Sequence, residues 1–253
     1  MKYLKYLFSL FTILTITCLS AIKLDNPSFN QELFNYNKGI DISHYQGDIE
    51  WSKIDTTIDF IICKATEGSK FIDYKFEHNW KNIKGVKGCY HFFRPQVPGD
   101  IQALHYLKTV NFKEGDILPI IDVEMTKHWT YSKHRKTYVN NLKKMVSTIH
   151  DKTGLTPIIY TTGLFWDTYI SKHYQNKYDH ILWVADYRKN DSPKIPKDFN
   201  DWVIWQHTNK GLTNGIIGFV DLNYSKNIDT LLIKNIKPMS IIPMNTNIPV
   251  GKK

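Results

Sequence analysis

Eight short apolar runs, rich in β-branched residues, limit what this chain can become. They lie at 38–43, 59–64, 86–93, 117–122, 157–160, 181–185, 202–206 and 217–220 of its 253 residues. Runs of this length, bounded by turn residues, form strands buried on both faces. Between them the apolar period lengthens from two to 3.6, which predicts helices over 76–84, 100–110, 132–150 and 164–170. The clearest is 132–150: Val139, Leu142, Met145, Val146 and Ile149 make one stripe, and Gly154 stands just past its end. The last three runs are separated by stretches holding Pro193, Pro196, Gly211 and Gly215, with no helical period. Strand and helix alternate for five units, and three strands then follow in quick succession. That order predicts an α/β barrel whose last helices are missing. An open doubly wound sheet would need a glycine-rich phosphate turn after its first strand. Asp41-Ile42-Ser43-His44-Tyr45-Gln46-Gly47 is not one.

The fourth run carries chemistry. It reads Ile117-Leu118-Pro119-Ile120-Ile121-Asp122-Val123-Glu124, passing from buried strand to two carboxylates one residue apart. Positions i and i+2 of a strand share a face, so Asp122 and Glu124 project side by side. Pro119 has no N–H to donate and must sit near the strand's start. In a βα barrel the active site lies at the C-terminal strand ends. Strand one brings Asp41, His44 and Tyr45 there, strand two Lys64 and Glu67, and strand three Tyr90, His91 and Phe93. Strand five brings Tyr160; strand six Trp183, Asp186 and Tyr187; strand seven Trp205 and Gln206; strand eight Asp221 and Asn223.

This mouth is acidic and ringed by aromatics, and no strand end pairs a nucleophilic Ser or Cys with a base. Crowded carboxylates cannot all ionise freely, so at least one holds a proton. A protonated carboxyl for the leaving oxygen and an anion facing an oxocarbenium-like centre are the tools of glycosidic cleavage. Tyr45, Tyr90, Tyr160, Tyr187 and Gln206 are candidate substrate-binding residues. Asp186 fits that role or a solvated loop equally, and Glu67 is expected to orient neighbouring backbone. Trp183 and Trp205 fit core packing as well as stacking, and His44 and His91 are read as structural. The histidines are scattered, with no HxH or HxxxH pair beside an acid, so no metal or other cofactor is expected.

The net charge of +9 points to a polyanion until it is divided along the chain. Residues 1–23 hold three Lys and 234–253 four, neither with an acid, which leaves 24–233 at +2. A nucleic-acid binder concentrates Lys and Arg on its folded body, so no nucleic-acid partner is expected. Lys2 and Lys5 precede an apolar stretch from Leu7 to Leu19, followed by Ser20 and Ala21. That is the pattern of an export signal or, if uncleaved, of a membrane anchor, the one expected membrane contact. The chain therefore divides into an export or anchor segment (1–21), a barrel (36–233) and a loose basic tail (234–253), and a monomer is expected. Cys63 and Cys89 fall in predicted strands as buried thiols, able to pair if oxidised.

A resemblance now becomes visible. Asp41-Ile42-Ser43-His44-Tyr45-Gln46-Gly47, Lys64-Ala65-Thr66-Glu67-Gly68, Gly88-Cys89-Tyr90-His91-Phe92-Phe93, Asp122-Val123-Glu124, Trp183-Val184-Ala185, Trp205-Gln206 and Val220-Asp221-Leu222-Asn223 resemble, in order, the signatures of glycoside hydrolase family 25, lysozymes of the N-acetylmuramidase type. The resemblance implies a modified TIM-like barrel with five βα units and three closing strands, (β/α)5(β)3. It also implies cleavage of the β-1,4 bond between N-acetylmuramic acid and N-acetylglucosamine in peptidoglycan. By position, Glu124 resembles the general acid. Asp122 resembles the carboxylate that orients the substrate's N-acetyl group or supports the charged transition state. Asp41 and Asp221 match the two further acids. Two other readings stay open: a catalytically silent relative that binds amino sugars, and a hydrolase of chitin-like polymers on the same fold. A silent binder has no need of a proton donor, and the DxE stretch lacks the longer acid pattern of barrel chitinases.

Overall fold

A computed structural model of the protein describes residues 36–126, 132–174 and 180–237. The predicted export segment and residues 238–253 of the tail lie outside them. Nine strands form among the described residues: β1 (Asn37–Ile42), β2 (Phe60–Glu67), β3 (Phe71–Ile72), β4 (Val86–Phe92), β5 (Ile120–Asp122), β6 (Ile158–Thr162), β7 (Ile181–Ala185), β8 (Ile204–Gly211) and β9 (Val220–Ser225). From β1 through β2, β4, β5, β6 and β7 to β8 every pairing is parallel. β9 then lies antiparallel to both β8 and β1 and closes an eight-strand barrel. The short β3 only folds back on the end of β2.

Three helices, α1 (Phe76–Asn82), α2 (Gly99–Thr109) and α3 (Ser132–Thr153), follow successive units. A short helical segment running from Gly163 through a π-turn to Ile170 follows β6. The first connection carries 3-10 turns at His44–Gln46 and Trp51–Lys53, and no helix separates β7, β8 and β9. The expected five units and three closing strands are all present. No helix among the described residues is long and apolar enough to cross a membrane. Of the expected tail, 234–237 still follow the protein, with Lys237 N donating to the Thr153 carbonyl at 3.1 Å.

Two strands depart from expectation. β5 starts only at Ile120, directly after Pro119, because the ring nitrogen cannot join the ladder. Ile117 and Leu118 pair instead with Leu232 and Leu231 at the barrel's far end. The eighth barrel strand is not 217–220. Those residues turn over Gly215 and Gly218, both at positive φ, and leave Ile217 and Phe219 exposed. The strand itself is β9, polar inside and running the opposite way.

Close approaches explain two glycines. A Cβ on Gly39 would fall 2.3 Å from the Phe60 ring, so its absence lets Phe60 fill the barrel. A Cβ on Gly99 would fall 1.8 Å from the Asn141 carbonyl oxygen, so α2 can meet α3 only through a bare backbone.

Candidate active site

One two-residue step on each of five parallel strands changes the inward side chain from aliphatic to functional. The steps are Ile62 to Lys64, Ile120 to Asp122, Ile158 to Tyr160, Ile181 to Trp183 and Ile204 to Gln206. The aliphatic layer packs with Phe60, Ile228 and Leu231 as the barrel's core. The functional layer lines a cavity of about 410 Å³. β1 and β9 add Asp41 and Asp221, which face each other as register partners. Tyr90 and Phe92 of β4, Glu67 of β2 and Asn209 of β8 complete the wall with Tyr45, Arg94, Glu124 and Tyr187 from the connections.

Hydrogen bonds converge on Asp41. Its Oδ2 accepts from Gln206 Nε2 at 2.8 Å and from Asn223 Nδ2 at 2.7 Å. Gln206 Oε1 in turn accepts from the hydroxyls of Tyr160 at 2.9 Å and Tyr187 at 2.5 Å. Asn223 Oδ1 accepts from the Trp183 indole at 2.9 Å. Tyrosine and tryptophan donors thus fix which way each amide points, and both amides present N–H to one carboxylate. Burial, then the facing Asp221, push Asp41 well above the usual carboxylate range against those donors. Burial raises Asp221 too, but its hydrogen bond with Asp41 lowers it. Both carboxyls of the pair are thus held above the ordinary value, Asp41 the further.

The second acid pair is arranged differently. Burial, then Glu124, push Asp122 well above the usual range, with Lys64 opposing. Its Oδ1 is buried and meets no hydrogen-bond partner among the described residues. Glu124 is also raised, by burial, and Lys64 and Arg94 pull it partly back while Asp221 adds to it. Both cations are tethered to Glu67: Lys64 Nζ donates to Oε2 at 2.6 Å and Arg94 Nε to Oε1 at 2.7 Å. Burial works to raise Glu67, yet these two donors hold it below the ordinary value.

The cavity brings together Asp41, Asp122, Glu124, Asp221, Tyr45, Tyr90, Tyr160, Tyr187 and Gln206. Asp186 stands apart. Its carboxylate accepts from Arg188 Nε at 2.8 Å and from Lys194 N at 2.7 Å, so it shapes the loop after β7 and does not line the cavity. Glu67 orients side chains, not backbone. Trp183 both packs and lines the cavity, whereas Trp205 turns outward, donating to the Asp186 carbonyl at 2.8 Å beside Trp202 and Tyr224. His44 is held at 2.5 Å by buried Asp73. His91 is fully buried between Thr66 and Gln102, and burial lowers it to about 3, so it is neutral. Cys63 and Cys89 are buried free thiols, although they are partners in the β2–β4 register.

Sequence reasoning gave Lys64 no role and passed over Phe92, Arg94 and Asn209. Lys64 did leave a signal, a lysine inside an otherwise apolar strand; Arg94, in a loop, left none.

A closed mixed barrel with its elevated acids gathered at one mouth has the architecture and chemistry of a glycoside hydrolase. Comparison with known proteins assigns the family. The profile described as glycosyl hydrolases family 25 matches residues 40–216, and the chain belongs to that family, as a hydrolase of the lysozyme type. The uncharacterized protein YegX of Escherichia coli K12 is 35% identical over 194 residues, covering 73% of this chain and 68% of that one. Lysozyme M1 of Streptomyces globisporus is 29% identical over 199 residues, covering 74% and 66%. Among solved structures, the bacterial lysozyme of Streptomyces coelicolor aligns with a TM-score of 0.68 at 26% identity, over 78% of this chain and 94% of that one. A family 25 hydrolase from Bacillus anthracis aligns with a TM-score of 0.66 at 29% identity, over 76% and 89%.

Proposed function

We propose that this chain is an exported muramidase that hydrolyses the β-1,4 bond between N-acetylmuramic acid and N-acetylglucosamine in peptidoglycan, with Glu124 as proton donor. The observation that carries this reading is the Asp122–Glu124 pair: two buried, elevated carboxylates in one cavity, the deeper one with an unpartnered oxygen. Burial and mutual repulsion disfavour two anions here and keep a proton on the pair. A substrate acetamide N–H donated to Asp122 Oδ1 would satisfy that oxygen and stabilise its anion, leaving the proton on Glu124. Glu124 then protonates the glycosidic oxygen as the C1–O bond breaks and its electron pair leaves with the oxygen. Asp122, now anionic, faces the oxocarbenium-like centre. Water adds at C1 and returns a proton to Glu124.

Glu124→Gln should lower turnover by roughly 10²–10⁴-fold while leaving glycan-fragment affinity in place. Release of reducing ends from peptidoglycan, followed beside equilibrium binding, checks both. Wild-type protein that binds and releases nothing would favour the silent amino-sugar binder. Export through residues 1–21 is checked by N-terminal sequencing of protein recovered outside the cytoplasm.

A further inference from the structure

One stretch of the cavity wall opposes the others in charge. Lys64 and Arg94 stand there with only Glu67 between them, whereas Asp41, Asp122, Glu124 and Asp221 make the remaining wall acidic. Arg94 is the more available cation: its side chain is 35% exposed, against 8% for Lys64. Its guanidinium spends Nε and Nη2 on a single oxygen, Glu67 Oε1, and lies 4.7 Å from the centre of the Phe92 ring. Among the described residues Nη1 meets no acceptor. The backbone is fixed as well. Fully buried Gln102 accepts from Arg94 N at 2.8 Å and donates to Arg94 O at 2.9 Å, while His91 contacts Gln102 at 3.1 Å. Buried polar groups outside the cavity thus aim one arginine. A guanidinium held on one edge, with its other N–H groups unspent, fits a planar anion bidentately.

We propose that Arg94 forms a subsite for a substrate carboxylate and so makes the hydrolase prefer acidic over neutral amino-sugar chains. The proposal rests on the hydrolase reading given above. Among the residues lining the cavity only Lys64 and Arg94 are cationic, so a substrate carboxylate finds its counter-charge at this wall and a neutral glycan gains nothing from it. In peptidoglycan that group has two sources: the lactyl carboxylate on the sugar, or a carboxylate of the attached peptide stem.

Reducing-end assays of wild type, Arg94→Gln and Arg94→Lys on three substrates test it. These are peptide-free glycan with the lactyl carboxylate free, the same glycan converted to its methylamide, and glycan that retains its peptide stems. Wild type should favour the substrate carrying the recognised carboxylate about 10- to 100-fold over the methylamide. Arg94→Gln should bring the acid-to-methylamide ratio close to one through KM, and Arg94→Lys should keep part of the preference. Preference for the peptide-free acid identifies the lactyl source; preference for stem-bearing glycan identifies the peptide. A uniform loss on all three substrates would mean that Arg94 only positions Glu67, and the subsite is then wrong. It is equally wrong if wild type treats all three substrates alike. If wild type cleaves none of them, the hydrolase reading fails separately, and the same acid-to-amide ratio is read as Kd.

Discussion

Asp122 is a carboxyl that the fold makes costly to ionise. Its pKa is raised on folding, so between the ordinary carboxylate range and its elevated value the folded chain binds a proton that the unfolded chain has lost. Stability contributed by that proton is whole at low pH and falls as pH rises through this window. An amide cannot ionise. Asp122→Asn should therefore melt higher than wild type at pH 7, and the gap should close by about pH 4, near the unperturbed Asp value. Thermal melts at the two pH values decide it, and equal melting temperatures at pH 7 would reject the account. Activity should fall in the same variant, the usual exchange between a strained site and a stable one. A second effect belongs at this scale. Asn223→Ala removes a donor to Asp41 and an acceptor from the Trp183 indole. The buried indole N–H is left unpaired, which should cost about 1–3 kcal/mol, and Asp41 keeps only its Gln206 donor; urea unfolding measures the loss.

At the level of elements, the contact between α2 and α3 turns on one missing methyl. Gly99→Ala would place a carbon against the Asn141 carbonyl, and the rigid backbone there cannot yield as a side-chain tip would. A loss of about 1–3 kcal/mol is expected from overpacking, read as a lower urea midpoint with an unchanged m-value. The parallel strands were legible because their inward positions are aliphatic until the last step, so apolar runs marked them. β9 was not. It belongs to the functional layer along much of its length, with Asp221, Asn223 and Ser225 alternating with Leu222 and Tyr224. An apolar-run criterion gave 217–220, of which the structure exposes Ile217 and Phe219 on a turn and keeps only Val220 in the strand. Asp221 and Asn223 were still named as mouth residues, though for a geometric reason that does not hold. They reach the mouth because β9 is antiparallel and begins there. Arg94 was missed for the opposite cause: its position comes from Gln102 and Glu67, distant contacts that no local pattern encodes.

For the whole molecule, the decisive fact is that the first and last strands of the barrel meet. Asp41 takes its hydrogen bonds from residues 165 and 182 positions away, and its carboxylate partner is on the final strand. A chain ending at residue 219 should release no reducing ends and show no cooperative unfolding, because Asp41, Trp183 and the edges of β1 and β8 all lose partners. Circular dichroism melts beside the full chain would show it. The order of assembly has a temporal meaning. Growing from its N-terminus, the polypeptide acquires each acid in turn but no working constellation until its last strand docks against its first. Completion of folding is thus the arming step, and a chain still emerging from a ribosome is harmless to any sugar polymer it meets.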